Sequence, residues 1–380
     1  MSGMRSVAQD RRRSESPSLL RAAGVLVGVA FLRAFLTPSH HETESRPFGA
    51  DESREPLALQ HHRATEPGRG RRALSPWQIP WRGWKDILWR TYSQIQDDRL
   101  FAISAGVVFF ALLALFPAVT AIVSMYGLFA DPATIEGHIA LVSGFAPEQA
   151  VSVVREQIGR LVARGNTELG FGFILGVAIA VWSANAGLKA IIDALNVVYE
   201  ETEKRSFVKL NLISLTFTVG AVAAVLLGIG AVVVVPLLLE HIGLGAATEW
   251  LFRYGRWPIL VVAILLGLAI LYRYGPSRER AQWRWLSVGS IAAAVLWLAG
   301  SAAFSFYIQN FANYDATYGS LGTGIGLMMW MWLSVIAILF GGELNAEIEH
   351  QTSADSTTNR PRPIGRRGAA MADTVGAAQS

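Results

Sequence analysis

The chain has 380 residues, of which 52% are apolar and only 16% are charged. Soluble domains carry roughly a quarter charged residues, so this composition argues against an ordinary soluble domain. The absence of cysteine excludes disulfides, cysteine-ligated zinc and iron–sulfur clusters, and no cofactor is predicted. The net charge of +4 is better explained by basic loops of a membrane protein than by nucleic-acid binding, so no nucleic-acid partner is expected.

Residues 1–75 are polar, with scattered arginine, proline and glycine, and this composition predicts a poorly ordered N-terminal extension. The extension contains one short apolar patch, Ala22–Leu32, which is too short to cross a membrane. We interpret the patch as a surface helix, or as translation from an upstream start codon.

From Pro76 onward, tryptophans alternate with basic residues. The residues concerned are Trp77, Trp81, Trp84, Trp89, Arg82, Lys85 and Arg90. Aromatic rings with basic neighbours are typical of helices that lie at the lipid headgroups. We therefore predict a Trp-rich interfacial helix, with base stacking on RNA as the less favoured alternative.

Long apolar runs dominate the rest of the chain. Between Arg99 and Asp131 there is no charged residue or histidine, and about 20 apolar residues suffice to cross a bilayer. The predicted spans are Leu100–Ala130, Leu169–Val198, Leu210–Leu239, Trp257–Tyr272, Trp285–Ile308 and Tyr318–Gly342. The predicted fold class is therefore all-α, a polytopic membrane protein with about six transmembrane helices. Residues 131–168 form a predicted outer amphipathic segment.

The placement of lysine and arginine predicts the orientation. Basic residues are frequent in the leader, around Lys204, in the loop Arg273–Arg284 and after Arg360, whereas the first outer segment is strongly acidic. Since basic loops stay in the cytoplasm, both termini are predicted to be cytoplasmic, in a bacterial inner membrane. The predicted domains are the extension 1–75, a membrane domain 76–350 and a disordered cytoplasmic tail 351–380.

Three blocks of sequence resemble one family of bacterial inner-membrane proteins. They are Asp98-Arg99 with Ser104-Ala105-Gly106 and Ala111–Pro117, then Val181–Asn185 with Ala194–Tyr199, and finally Phe311–Gly322 with Gly341–Glu347. In this order the blocks resemble the YihY/BrkB family, over about Trp77–His350.

The resemblance implies six spans and cytoplasmic termini. Members of that family have carried the label ribonuclease BN, a tRNA-processing enzyme, which is regarded as a misassignment. One branch is linked to virulence and serum resistance, and transport or export has been suggested. The resemblance brings no substrate.

One polar stripe lies in the second predicted span. Asn185, Lys189, Asp193 and Asn196 fall on one helical face, and Lys189 and Asp193 are spaced to form an ion pair. Polar residues within a membrane are costly, so the stripe is a candidate polar path for a solute or headgroup. The alternative, which we favour, is a helix end emerging into cytoplasmic water.

The sixth predicted span begins with a glycine-rich motif. Its members are Tyr318, Gly319, Ser320, Gly322 and Gly326. The spacing of Gly322 and Gly326 favours close helix packing, and the alternative is a broken helix that exposes backbone to an ion or substrate.

Two glutamates follow this span. Glu343 and Glu347 lie near the C-terminus of a helix, where the helix dipole disfavours anions. Partners are therefore expected, and Arg278, Arg280 and Arg284 lie on the same side in the predicted topology. We predict a structural latch, with a gate or proton site as the alternative.

No catalytic residue or metal site is predicted, because the histidines of the membrane region are isolated and no Walker loop or nucleophile elbow occurs. The chain is therefore expected not to be an enzyme. The first functional hypothesis is a transporter or lipid- or solute-handling protein that does not use ATP. The second is an envelope scaffold without transport, and the third is the ribonuclease of the family label. The expected partners are the lipid bilayer and an unknown solute or lipid, with a homo-oligomer left open.

Overall fold

The architecture was taken from a computed structural model, which describes residues 57–113, 169–229, 246–310, 322–358 and 360–379. Within these ranges the regular secondary structure is helical, apart from one isolated bridge between Ala281 and Thr357. The all-α prediction is confirmed for this part of the chain. The predicted outer amphipathic segment, 131–168, lies outside it.

Three helices precede the first gap. Helix α1 is Leu57–Ala64, α2 is Trp81–Asp97 and α3 is Leu100–Leu113. The junction between α2 and α3 is abrupt, because Arg99 adopts a left-handed backbone with φ of 51°. Such a conformation is uncommon for a residue other than glycine, and here it ends one helix while the next begins at Leu100.

Five long helices and a short one follow. They are α4, Leu169–Val198; α5, Phe207–Ile229; α6, Ala246–Tyr274; α7, Trp283–Asn310; α8, Gly322–His350; and α9, Ala370–Asp373. Helix α4 ends where Glu200 takes a φ of 52° and the amide of Glu201 donates to the carbonyl of Asn196 at 2.7 Å. This is a backbone turn of the Schellman type.

Helices α7 and α8 form the most extensive helix pair among the described elements. They approach closely where Gly289 faces Gly341: a Cβ added to Gly341 would lie 2.5 Å from the Gly289 carbonyl oxygen and 2.7 Å from Ala293 Cβ. Only glycine permits this backbone contact. The amide of Gly289 also donates to Asn345 Oδ1 at 2.8 Å, which ties the two helices together.

The outer surface of the helices is apolar. Val262 on α6 is 62% exposed, and Val295 and Phe306 on α7 are 60% and 59% exposed. Soluble proteins rarely expose continuous apolar surface of this kind, so it indicates contact with lipid. Among the described residues two segments are long and apolar enough to cross a membrane, Trp283–Ile308 and Gly324–His350.

Helices α3 to α6 overlap the other four predicted spans. That each of them crosses the membrane, the total of six, and the cytoplasmic placement of the termini remain predictions.

The C-terminal segment differs from the predicted disordered tail. Met371 and Val375 are fully buried. The amide of Val375 donates to Gln60 Oε1 at 2.9 Å, and Arg71 Nη2 donates to the carbonyl of Gly376 at 2.8 Å. The N-terminal residues from Leu57 onward are likewise helical or hydrogen-bonded, although the sequence assigned them to the poorly ordered extension. Both segments are ordered because each supplies hydrogen-bond partners that the other lacks.

Candidate functional site: a buried polar cluster at one end of the bundle

The last three turns of α8 carry the charged residues of an otherwise apolar helix. All ten residues from Gly341 to His350 are buried. Glu343, Glu347 and Glu349 are each at most 1% exposed. Burying a carboxylate is costly unless it is paired, neutralised or hydrogen-bonded, so the partners of each one define the chemistry of this end.

Glu347 is paired with an arginine of α2. Arg90 Nε lies 2.5 Å from Glu347 Oε2, and both side chains are buried. The same guanidinium donates to Gln351 Oε1 at 2.9 Å and to the carbonyl of Ala377 in the tail at 3.0 Å. The arginine thus joins α2, α8 and the tail.

Glu349 is paired with the loop between α6 and α7. Arg278 donates to both carboxylate oxygens, at 2.6 and 3.2 Å, and both side chains are fully buried. The Ser356 hydroxyl donates to Glu349 at 2.8 Å, and the guanidinium lies 4.2 Å from the centre of the Tyr199 ring. Burial by itself lowers the pKa of Arg278, but Glu349 and Tyr199 outweigh it and leave the pKa raised. The guanidinium therefore stays charged.

Glu343 differs from these two paired glutamates. Its side chain is fully buried, and neither carboxylate oxygen has a hydrogen-bond partner among the described residues. The groups that act on it electrostatically are themselves acidic: Asp98 at the end of α2, Glu347 on its own helix and Glu200 after α4. A carboxylate buried near other acids, with no cation beside it in the described part of the chain, is the least stable charge in this cluster.

Asp98 is the half-buried member of this group. Burial, followed by the nearby Glu200, Asp97 and Glu347, raises the pKa of Asp98 to about 7. The neighbouring Glu200 accepts a hydrogen bond from Gln94 Nε2 at 3.1 Å. It also lines a cavity of about 340 Å³ between the end of α4 and the tail. The cavity walls include Glu201, Lys204, Ala370 and Asp373.

The polar stripe predicted on α4 is divided by the structure. Asn185 is buried and its Nδ2 donates to Asn211 Oδ1 of α5 at 3.3 Å. Asp193 is exposed. Asn196 is buried and fastens the helix end, donating to Glu203 at 3.2 Å and accepting from the Ser277 amide at 2.7 Å. The four side chains therefore do not share one environment.

The predicted ion pair within this stripe is not formed. Lys189 Nζ lies over the rings of Trp182 and Phe207, at 5.8 and 5.5 Å from their centres. No salt bridge joins Lys189 to Asp193 in the described structure. The aromatic rings offer the ammonium group an alternative to the exposed carboxylate.

Part of the predicted glycine motif lies outside the described residues, namely Tyr318, Gly319 and Ser320. Gly322 is the first residue of α8 and is buried. A Cβ on Gly326 would make an ordinary contact, 3.5 Å from Ile308 Cδ1. The close approach of α7 and α8 occurs instead at Gly289 and Gly341, which the small-residue spacing did not single out.

The predicted latch has other partners than expected. Arg278 pairs with Glu349, and Glu347 pairs with Arg90. Arg280 lies 5.0 Å from the centre of the Tyr274 ring, and Arg284 donates to Gln282 at 2.8 Å. Neither contacts Glu343 or Glu347 among the described residues, since both arginine side chains are exposed and the two glutamates are buried.

Sequence reasoning missed Arg90, Asp98 and Glu349 as members of the cluster. Arg90 was assigned to the headgroup-facing side of the Trp-rich helix, although it is buried and Trp81 and Trp89 of the same helix are exposed. The run of acids at the end of α8, Glu343 to Glu349, was a usable signal, since so many acids in one helix end require cations nearby. No group of three or more histidine, aspartate or glutamate side chains within the described ranges is arranged to hold a metal ion.

Comparisons with known proteins agree with the apolar surface. The sequence model of the family described as Virulence factor BrkB matches residues 91–364. The ribonuclease-like protein YfkH of Bacillus subtilis (strain 168) is 32% identical over 251 residues, 64% of this chain and 88% of its own length. A UPF0761 membrane protein of Pseudoalteromonas translucida is 24% identical over 284 residues, 72% of this chain and 88% of its own. A UPF0761 membrane protein of Alteromonas mediterranea is 26% identical over 288 residues, which is 74% of this chain and 93% of its own length. No solved structure matches.

Proposed function

Because the chain belongs to the Virulence factor BrkB family of membrane proteins, we propose that it is a multi-pass transporter of a polar solute or lipid headgroup that does not use ATP. Its place would be the bacterial inner membrane, with both termini in the cytoplasm. A static scaffold needs no polar groups inside its apolar helices, whereas a transporter must solvate its cargo there.

The observation that carries the proposal is the contact between Asn185 and Asn211. Asn185 lies within an apolar helix and is only 5% exposed. Its amide nitrogen reaches Asn211 across the α4–α5 interface, while its Oδ1 has no hydrogen-bond partner among the described residues. A buried amide with spare hydrogen-bonding capacity favours a contact with water or with a polar ligand.

The buried cluster at the end of α8 supports the same proposal. Ionisable side chains within a membrane-crossing segment are costly and mark ion or substrate paths by default. Glu343 lies in the apolar segment Gly324–His350. It lies two residues beyond Gly341 of the α7–α8 glycine contact, where two tightly packed helices meet the polar end.

Labelling of single cysteines tests the proposal, because the natural chain has no cysteine. Asn185→Cys and Gly322→Cys would be treated with a membrane-impermeant thiol reagent in intact and in opened cells. The matched control is Ile179→Cys, on the same helix as Asn185 but 48% exposed on the apolar surface. We expect Asn185→Cys to react and Ile179→Cys to stay unlabelled, since water would reach the first position and lipid would cover the second.

Failure of Asn185→Cys and Gly322→Cys to react, in cells where an exposed loop cysteine does react, would contradict transport. A dry bundle of this kind would be an envelope scaffold whose loops bind partners. The ribonuclease-like name of the Bacillus relative would gain support only from RNA cleavage by the purified protein, which the proposal does not expect.

A further inference from the structure

The three buried glutamates of α8 differ in one respect that bears on function. Glu347 and Glu349 each face an arginine at 2.5 and 2.6 Å, so their charges are compensated. Glu343 has no hydrogen-bond partner for either oxygen among the described residues, although it is fully buried. The ion pairs of Glu347 and Glu349 explain how this end of the bundle is held together, but Glu343 takes no part in them.

The groups that act on Glu343 electrostatically are acidic. Asp98 acts on it from α2, Glu200 from the segment after α4, and Glu347 from its own helix. The neighbouring Tyr199 is also coupled to it electrostatically. A buried carboxyl group that has neither a cation nor a hydrogen-bond donor beside it is suited to binding a proton.

Two of the acidic neighbours of Glu343, Asp98 and Glu200, are partly accessible to solvent. Asp98 is half-buried, and burial and the neighbouring carboxylates raise the pKa of Asp98 to about 7. Glu200 lines the cavity of about 340 Å³ beside the tail, where water has room. Glu200 acts electrostatically on Asp98, and both act on Glu343.

We infer that Glu343 is a proton-binding site, reached through Glu200 and Asp98, and that its proton drives the transport proposed above. The inference that the proton is the coupling ion rests on the proposed function, whereas proton binding itself does not. Glu343 takes up the proton as its carboxyl O–H bond forms and releases it to Asp98 as that bond breaks. Interacting carboxyl groups of this kind titrate as a set.

Infrared spectroscopy of the protein in nanodiscs measures the protonated carboxyl directly. The whole chain would be compared with Glu343→Gln, which keeps the shape of the neutral acid and so should fold. The matched control is Asp193→Asn, which removes an exposed carboxylate from α4. We expect the wild-type protein to show a protonated-carboxyl band at neutral pH that shifts in heavy water. Glu343→Gln should weaken the band and leave the part that belongs to Asp98, whose pKa is about 7, and Asp193→Asn should retain the whole band.

Two results would overturn the inference. The first is a band of equal intensity in the wild type and Glu343→Gln. The second is loss of the wild-type band on adding sodium chloride at constant pH, which would assign the site to a metal cation.

The two proposals can fail separately. If the band depends on Glu343 but Asn185→Cys stays unlabelled, proton binding stands and coupling to transport is overturned. If Asn185→Cys reacts and the band is unchanged in Glu343→Gln, transport stands and this proton site is overturned.

Discussion

At the scale of single residues, the polar end of the bundle combines paired and unpaired charges within one helix. The Arg90–Glu347 and Arg278–Glu349 pairs are both almost completely buried. Their value for stability lies less in their mutual attraction than in the cost of leaving one partner alone in a low-dielectric interior. Glu343 has no such partner among the described residues, and in our proposal it avoids that cost by binding a proton.

Removal of Arg90 should be strongly destabilising. Arg90→Ala leaves Glu347 buried without its cation and also removes the hydrogen bond to the tail carbonyl of Ala377. We expect a loss of about 3–5 kcal/mol in the free energy of unfolding, as is usual when one member of a buried pair is removed.

Arg284→Ala provides the control for this variant. The Arg284 side chain is exposed and donates to Gln282 at 2.8 Å. Its removal should cost less than about 1 kcal/mol, because substitutions at exposed positions usually change stability little. Unfolding of both variants by denaturant in a fixed detergent measures the difference. Equal losses would show that the buried pair does not hold α2 against α8.

Asp98 gives a prediction about pH. Its pKa is raised from the ordinary 3.8 to about 7 in the folded protein. Between these two values the folded state holds a proton that the unfolded state has released, so Asp98 makes stability fall as pH rises from about 4 to about 7. In Asp98→Asn this contribution is absent.

The stability of Asp98→Asn relative to the wild type should therefore increase as the pH rises through this range. Thermal unfolding at a series of pH values gives the two profiles, and Asp193→Asn serves as the control for an exposed carboxylate. Parallel profiles for the wild type and Asp98→Asn would contradict the raised pKa.

At the scale of elements, the contact between α7 and α8 is set by glycine at positions where backbones touch. A Cβ on Gly341 would lie 2.5 Å from both the Gly289 carbonyl oxygen and the Tyr272 hydroxyl. That hydroxyl is held in place, since it donates to the carbonyl of Ile338 at 2.7 Å. The contact brings α6, α7 and α8 together immediately before the acidic end of α8 begins.

Gly341→Ala should therefore destabilise the protein by about 1–3 kcal/mol, the usual cost of forcing extra volume into a packed interior. The matched control is Gly326→Ala on the same helix, where the added methyl group meets Ile308 at an ordinary 3.5 Å. Thermal unfolding in detergent compares the two variants. A Gly326→Ala variant as unstable as Gly341→Ala would locate the close contact where the sequence had predicted it.

At the scale of the whole molecule, the segments that connect the helices meet at one end. Lys204 after α4 donates its amide to Ser277 between α6 and α7 at 2.9 Å. Gln282 donates to the carbonyl of Thr357 in the tail at 2.7 Å, and the Ala370 amide donates to Glu201 at 2.8 Å. The pair α5–α6 and the pair α7–α8 therefore each begin and finish at this end.

The tail should contribute measurably to this end. Val375→Asp places a charge at a fully buried position beside Arg63 and Gln60, both of which bond to the Val375 backbone. We expect a clear loss of thermal stability and faster proteolysis of the C-terminal segment. Arg366→Asp changes an exposed tail residue and is the control. A tail that tolerates both changes equally would not be packed as described.

The apolar helices could be predicted from the sequence because each long apolar run is a local signal. The bounds of α4, Leu169–Val198, agree with those of the second predicted span. The polar end could not be predicted in detail, because its contacts join distant residues: Arg90 and Glu347 are 257 positions apart. The order of the tail was missed for a related reason. Its composition resembles that of a disordered chain. The partners that fix it, among them Gln60, Arg71 and Arg90, are distant in the sequence.

The central claim is that the helices cross a membrane with the polar end in the cytoplasm, and one pair of cysteine variants tests it most directly. Ser206→Cys lies at the polar end between α4 and α5, and Asn310→Cys lies at the far end of α7; both positions are exposed. With a membrane-impermeant thiol reagent, we expect Asn310→Cys to react in intact cells and Ser206→Cys to react only after the cells are opened. Reaction of both positions from the same side would contradict the claim.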